Sequence, residues 1–385
     1  MHRFDTVDLL RGLCILSVIL LHAQSTLHYV GVEASRGLPA WLSTLLFQSG
    51  GQGVQIFFTI SGFLITLTSL RRFGSLGQVV PRAFYRIRFA RIAPALLLTL
   101  VVLSVMDLRQ VPYFHIDPHI ASLPRALFAA LTFHINWLQA AHGWLPAPWV
   151  VLWSLSVEEM FYLFFPLACL LLLRWRVGLQ LSALGLAVLV VFPVLMTWPF
   201  GPTNPTWNNE SYLGGMRNIL VGCLFAVLAD HCQRHPRLTT RWSLLLLQLA
   251  GAAALLFAEI PFLFEAKALL VLRAWMELNA AATLLLALGT GLIMLASVLH
   301  PIHGSVWTSP LRWLGRYSYE VYLTHQLVVI GVLSLYPQVR AGNAALWVCL
   351  IVILSSGLGL VLSRVVSEPM NRRLRGAPLP AQLRS

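Results

Sequence analysis

Charge is scarce in this chain: 11% of its 385 residues are Asp, Glu, Lys or Arg, against about 25% in soluble proteins. With 58% hydrophobic residues and a mean hydropathy of +0.75, that scarcity excludes a soluble globular protein. Cysteine is sparse as well. Cys14, Cys169, Cys223, Cys232 and Cys349 lie mostly in apolar runs and form no CxxC pair, which argues against a disulfide framework or a zinc site. HExxH, Walker A and GxSxG patterns are missing, and with them the usual sequence marks of zinc proteases, P-loop nucleotide hydrolases and serine esterases. The longest stretch between apolar runs, about 107–152, is too short and too apolar to be a separate soluble domain.

What the chain does have is apolar runs of membrane-spanning length. They recur at about 9–27, 53–70, 90–106, 153–173, 178–198, 211–229, 243–263, 274–299, 319–336 and 345–366. The expectation is an all-α polytopic transmembrane helix bundle of about ten spans. A shorter segment, 123–139, carries His134 and Asn136 and reads as interfacial or re-entrant.

The net charge of +13 would suit nucleic acid, but its placement points to topology. With both termini cytoplasmic, about 19 Lys and Arg residues fall on the inner side and about 6 on the outer. Arg11, and the lack of a convincing small-residue cleavage site, argue that the first span is retained and not a cleaved signal peptide. The expected organisation is one transmembrane domain over 1–370 and a basic cytoplasmic tail over 371–385.

Arg11 and His22 are the most informative pair. Eleven residues make about three helical turns, so both lie on one face with Asp8, Ile15 and Val18, roughly 16 Å apart along the axis. An ionisable side chain at a bilayer centre costs on the order of 2.5–3.5 kcal/mol, so such groups turn into the bundle or a wet cavity. The plainer alternative for His22 is an interfacial histidine near the end of its span.

Other candidates follow along the chain. In segment 84–94, Arg88 and Arg91 share a helical face where guanidinium forks can grip phosphate, or where they simply anchor the span. Glu158 and Glu159 open the fourth span about 100° apart, and Ser156 with Glu159 fits a capping box that leaves Glu158 unexplained. Ser318, Tyr322 and His325 follow i, i+4, i+7 spacing and line up as a polar groove. Gly50-Gly51-Gln52-Gly53 reads as a flexible turn before a span. His115, Asp117 and His119 resemble a metal cluster, but Pro118 breaks the helical spacing such ligands need. Segment 198–207, with Asn204, Asn208, Asn209 and Glu210, reads as an outer carbohydrate platform or as an aromatic belt beside a polar loop.

Taken together, these segments resemble the acyltransferase-3 family of membrane O-acyltransferases. The match runs through Asp8-Leu9-Leu10-Arg11-Gly12 with ten residues to His22, then Gly53-Val54-Gln55-Ile56-Phe57-Phe58 and Ser61-Gly62-Phe63-Leu64. It continues with Arg88-x-x-Arg91-Ile92-x-Pro94, Trp153-Ser154-Leu155-Ser156-Val157-Glu158-Glu159, Arg217 ahead of Gly222, Gly315-x-x-Ser318-Tyr319-x-x-Tyr322-Leu323-x-His325, and Glu368-Pro369. The blocks keep the family's order over nearly the whole chain.

The resemblance implies an inner-membrane enzyme that takes an acyl group, commonly acetyl, from cytoplasmic acyl-CoA to a hydroxyl, often of a surface or lipid-linked carbohydrate. It implies His22 as the catalytic histidine and Arg11, Arg88 and Arg91 as functional arginines. Asp8 is then expected to orient Arg11, and Glu158 and His325 to assist in positioning or proton transfer. Acyl-CoA is expected as a donor substrate, with no permanently bound cofactor, no metal and no nucleic acid. Some relatives carry a fused extracytoplasmic hydrolase-like domain, which this sequence is not expected to have. A hydrophobic natural product such as a macrolide is the alternative acceptor. A transporter or flippase is the alternative class, since buried Arg, His and Glu also line transport paths, although no inverted repeat is evident.

Overall fold

The computed structural model describes residues 4–171, 176–195, 199–201, 204–235, 240–263, 281–301, 303–334 and 343–375. Every regular element among them is helical. In chain order these are α1 (Asp5–Tyr29), α2 (Ala40–Phe47), α3 (Gly50–Phe73), α4 (Pro81–Leu108), α5 (Leu123–Leu131), α6 (Ile135–His142), α7 (Ala147–Val150), α8 (Leu152–Leu171), α9 (Val177–Leu186), α10 (Phe192–Leu195), α11 (Pro205–Glu210), α12 (Tyr212–Arg234), α13 (Arg241–Leu263), α14 (Ala281–Leu299), α15 (Ser309–Arg316), α16 (Ser318–Leu333), α17 (Ala344–Leu362) and α18 (Glu368–Arg375).

Eight helical segments among the described residues are long and apolar enough to cross a bilayer. The two other expected spans take shorter form. Segment 178–198 starts as α9, passes through a π-helical turn at Ala187–Val191 and continues as α10, with 196–198 outside the described residues. Segment 319–336 is α16, with 335–336 outside them. The expected interfacial stretch 123–139 resolves into α5 and α6, broken between them where Phe133 takes a positive φ of 59°.

The chain forms two compact units. The first comprises Met1–Leu67, Asn218–Ser318 and Val328–Ser356; the second comprises Thr68–Arg217, Tyr319–Leu327 and Gly357–Ser385.

The first unit depends on close helix crossings. Lipid tails are as apolar as Leu, so helices in a bilayer associate through tight packing, and glycine permits the closest approach. A Cβ at Gly12 would strike the Leu311 carbonyl, and one at Gly315 would strike the Asp8 carbonyl, so α1 and α15 meet backbone to backbone. The same logic joins α3 to α12, where Gly62 abuts the Ile219 carbonyl and Gly222 abuts the Thr59 carbonyl. Beside that contact Asn218 Nδ2 donates to Gln55 Oε1 at 2.6 Å. Gly251 on α13 and Gly289 on α14 complete the set, each leaving room for the other's carbonyl oxygen.

In the second unit α4 starts with Pro81 at its first turn, where a missing N–H costs nothing. Leu97, Val101 and Val105 form an exposed apolar stripe on α4 at i, i+4, i+8, as a lipid-facing surface requires. Its opposite face meets α8, with Phe84 stacked on Phe165 at 5.4 Å and the Tyr85 hydroxyl donating to the Leu163 carbonyl at 2.6 Å. Near its end, the buried Asp107 accepts from the Ile116 amide at 2.7 Å and contacts His115 Nδ1 at 3.1 Å, folding the following loop back onto the helix. Helix α18 packs on α4, so the expected boundary at 370 falls within a helix, while 376–385 lies outside the described residues.

The glycine crossings make a direct prediction. Gly222→Val should destabilise the detergent-solubilised protein by about 1–3 kcal/mol through overpacking, seen as a lowered melting temperature. Gly331→Ala, where a Cβ meets nothing within 4 Å, should leave melting nearly unchanged. Equal melting of both variants would contradict the close crossing.

Candidate active site

The expected inward face of α1 is what the structure shows. Asp8, Ile15 and Val18 are buried, and Arg11 and His22 on the same face are half-buried. Two acid–base contacts fix the start of the helix against α15 and the loop before it. Asp5 Oδ2 accepts from Arg312 Nη1 at 2.7 Å and from the Gly304 amide at 2.8 Å, while Arg312 Nη2 donates to the Ser305 carbonyl at 2.9 Å. Asp8 Oδ2 pairs with Arg316 Nε at 3.3 Å. Arg316 is thus an ion-pair partner of Asp8, more than 300 residues away in sequence, which local spacing cannot reveal.

The glycines at 50–53 correct the sequence expectation. They are not a flexible turn but the first turn of α3, and Gly50 and Gly53 cross α1 just before His22. A Cβ at Gly53 would lie 2.5 Å from Ser17 Oγ, and one at Gly50 would lie 2.6 Å from the Leu21 side chain. A glycine-rich helix start and a glycine turn have the same composition; the close approach to α1 is what demands glycine here.

The second unit holds a separate polar group on α4, α8 and α16. Arg88 and Arg91 are both half-buried. The Arg88 guanidinium lies 4.6 Å from the centre of the Tyr162 ring, a cation–π contact, and the Tyr162 hydroxyl donates to Glu158 Oε2 at 3.4 Å. Arg88 also lies within electrostatic reach of Glu159. Arg375, on α18, lies within electrostatic reach of Arg72, Arg88 and Arg91, which makes a basic cluster wider than the Arg88/Arg91 pair.

Ser156 does not cap α8. The helix already begins at Leu152, and the Ser156 hydroxyl donates back to the Leu152 carbonyl at 3.2 Å. This is the i−4 bond of a serine inside a helix.

From α16 the Tyr319 hydroxyl donates to the Ile92 carbonyl at 2.8 Å. The Tyr322 hydroxyl donates to the Val151 carbonyl at 3.0 Å and accepts from Ser154 Oγ at 2.8 Å. His325 is fully buried, and its Nδ1 lies 2.7 Å from the Tyr322 carbonyl; that contact sets the ring's orientation. Of the expected groove of Ser318, Tyr322 and His325, Tyr322 and His325 are held by hydrogen bonds, and Ser318 and His325 are buried.

A third group, again within the second unit, surrounds Glu210. Asn136 Nδ2 donates to the Glu210 carbonyl at 2.9 Å and Gln139 Nε2 to its carboxylate at 3.1 Å. Asn204 caps α11 by accepting from the Trp207 amide at 2.8 Å and donates to the Ala140 carbonyl at 2.9 Å. Trp137, Phe200 and Trp207 gather beside them with ring centres 5.0 to 5.7 Å apart. Burial pushes the Glu210 carboxyl up to about 9, against the opposing hydrogen bond from Gln139. Of segment 198–207, read as a carbohydrate platform or an aromatic belt beside a polar loop, Trp198 lies outside the described residues. Of His115, Asp117 and His119, whose spacing Pro118 makes unfit for a metal, Asp117 accepts from the His119 amide at 2.9 Å and His115 turns to Asp107, so both aspartates brace the loop.

Comparison with known proteins agrees with this architecture. The model of the acyltransferase domain family matches residues 4–364. The peptidoglycan O-acetyltransferase OatA of Listeria monocytogenes is 27% identical over 340 residues, which cover 84% of this chain and 49% of that protein. The O-acetyltransferase OatA of Staphylococcus aureus is 24% identical over 385 residues, 95% of this chain and 57% of that protein. The chain therefore spans about half the length of the curated relatives it matches. No solved structure matches it.

The buried Glu210 generates a pH prediction. Its folded value lies above the ordinary 4.5, so its burial costs nothing below about 4.5 and progressively destabilises the fold as pH rises toward about 9. Glu210→Gln, which keeps the shape and cannot ionise, should gain melting temperature over wild type between pH 5 and 9 by a margin that widens with pH. A margin that does not change with pH would show that this carboxyl is not held neutral.

Proposed function

The chain belongs to the acyltransferase domain family, and from that premise we propose that it is a multi-pass enzyme of the cell's inner membrane that moves an acetyl group from acyl-CoA to a carbohydrate hydroxyl. A peptidoglycan-type glycan is the first acceptor to test, by similarity to the named relatives. The observation that carries the reading is the inward face of α1. There a half-buried imidazole and a half-buried guanidinium stand three turns apart inside a membrane-spanning helix.

In the proposed reaction, Arg88 and Arg91 grip the phosphates of the donor, a task suited to guanidinium forks, and the wider cluster with Arg72 and Arg375 adds positive potential. Neutral His22 accepts the proton of the acceptor hydroxyl while its oxygen attacks the thioester carbonyl. Negative charge gathers on that carbonyl oxygen, while Arg11, three turns along α1 from His22, contacts the donor away from the reacting carbon. The C–S bond then breaks, the ester forms, and the CoA sulfur leaves with the proton released from His22. In the relay form of this reaction His22 itself takes the acetyl group and passes it on, splitting one transfer into two. Asp8, held by Arg316, fixes the start of the helix that carries Arg11; Glu158 and His325 serve as positioning groups in the second unit.

Membranes carrying the wild type or His22→Ala are incubated with labelled acetyl-CoA and a peptidoglycan-type glycan. Label should enter the glycan with wild type, and the rate should fall by about 10²–10⁴ with His22→Ala. Arg88→Ala should instead raise the KM for acetyl-CoA by about tenfold or more, through loss of a charge-assisted phosphate contact. Unaltered transfer by His22→Ala would end the assignment, and substrate movement without acetyl-CoA would favour a transporter.

A further inference from the structure

Glu210, Gln139 and Asn136 have no task in the reaction above, yet they are among the most deeply buried polar side chains of the second unit. Glu210 is 3% exposed, Gln139 1% and Asn136 0%. Burying three such groups is costly unless they serve each other or a ligand. They serve each other only in part. Asn136 Nδ2 and Gln139 Nε2 are engaged with Glu210, but Asn136 Oδ1 is buried with no hydrogen-bond partner among the described residues.

Two further features say what kind of ligand would suit them. Trp137, 40% exposed, stands edge-on to Phe200 at 5.1 Å and to Trp207 at 5.7 Å, so an aromatic surface reaches outward beside the amides. Rings that offer an apolar face next to convergent hydrogen-bonding groups match a sugar, which has an apolar C–H face and a rim of hydroxyls. The group offers amides, a carboxyl and aromatic rings but no guanidinium of its own, so it suits a neutral ring over a phosphate.

The position of the group within the second unit also fits. Glu210 lies within electrostatic reach of Tyr322, as does Glu158. Polar side chains therefore continue from Arg88 through Tyr162 and Glu158, past Ser154 and Tyr322, to Glu210 and Gln139. A donor gripped at the arginine end would leave the Glu210 end for an acceptor.

We propose that Asn136, Gln139 and Glu210, flanked by Trp137, Phe200 and Trp207, form a saccharide-binding subsite for a neutral N-acetylated sugar of the acceptor chain. As the acceptor's site it rests on the glycan acyltransferase reading; as a sugar site it is testable without any donor. The carboxyl raised by burial is protonated near neutrality, so it donates to a sugar oxygen while Asn136 Oδ1 accepts from a sugar hydroxyl or N–H.

The probe is chitopentaose, a soluble oligomer of N-acetylglucosamine, titrated by calorimetry into the full chain in lipid nanodiscs with no acyl-CoA present. Wild type should bind it, and Trp137→Ala and Glu210→Gln should each weaken binding by about tenfold, while all three proteins bind acetyl-CoA with the same affinity. Absence of binding by wild type, or equal binding by all three, overturns the proposal. Trp137 is partly exposed, so its truncation decides the matter if Glu210→Gln does not accumulate. Chitopentaose binding without any acetyl transfer would leave the subsite standing and remove the enzyme reading. Transfer with one acceptor KM shared by all three proteins would do the reverse.

Discussion

The α1–α15 contact governs the first unit. Gly12 and Gly315 bring the two backbones together so closely that neither position has room for a methyl group, and Asp5 and Asp8 then reach Arg312 and Arg316. Tight packing holds helices together in a bilayer, and the two ion pairs set the rotation of α1 about its own axis. That rotation decides whether Arg11 and His22 face lipid or protein. A charged side chain facing lipid is costly, so packing and electrostatics favour the same orientation. The glycine crossing of α3 at Ser17 and Leu21 then fastens α1 a second time, shortly before His22. His22 thus follows two close glycine crossings, at Gly12 and at Ser17 with Leu21, which hold the helix that carries it.

The second unit uses a different device. Its polar groups are ordered by hydroxyls and rings: Tyr319 and Tyr322 fasten α16 to the carbonyls of Ile92 and Val151, Tyr162 holds Arg88 on its face, and Gln139 holds Glu210. Tyrosine suits this work because one end packs as an apolar ring while the other satisfies a buried carbonyl. The price is specificity of position, since each hydroxyl fits only where its partner lies. Arginine repulsion in the cluster of Arg72, Arg88, Arg91 and Arg375 is best relieved by an anion, in keeping with the donor-binding role proposed for it.

Much of this was legible in the sequence for one reason: a bilayer leaves few ways to satisfy a backbone, so apolar length reports helices and ionisable residues within them report function. The inward face of α1 follows from helical spacing alone, and the arginines of α4 from their i, i+3 pairing. Other features were illegible because their cause is tertiary. The run at 50–53 has a turn's composition, and only the nearness of α1 explains Gly50 and Gly53. Ser156 and Glu159 have the spacing of a cap, but α8 begins a turn earlier, so the spacing carries no cap. Arg316 and Glu210 are paired with residues 308 and 71 positions away, beyond the reach of any local pattern. The weakly bounded spans, 178–198 and 319–336, are those whose helices are interrupted or short.

The central claim is that the α1 face bearing His22 is open to the acyl donor. The most direct test is accessibility at position 22: with the five native cysteines replaced, His22→Cys is exposed to a water-soluble, membrane-impermeant thiol reagent with and without acetyl-CoA. The account predicts steady modification that acetyl-CoA slows. Modification only by lipid-soluble reagents, at a rate indifferent to acetyl-CoA, would show that this face meets lipid and would contradict the account.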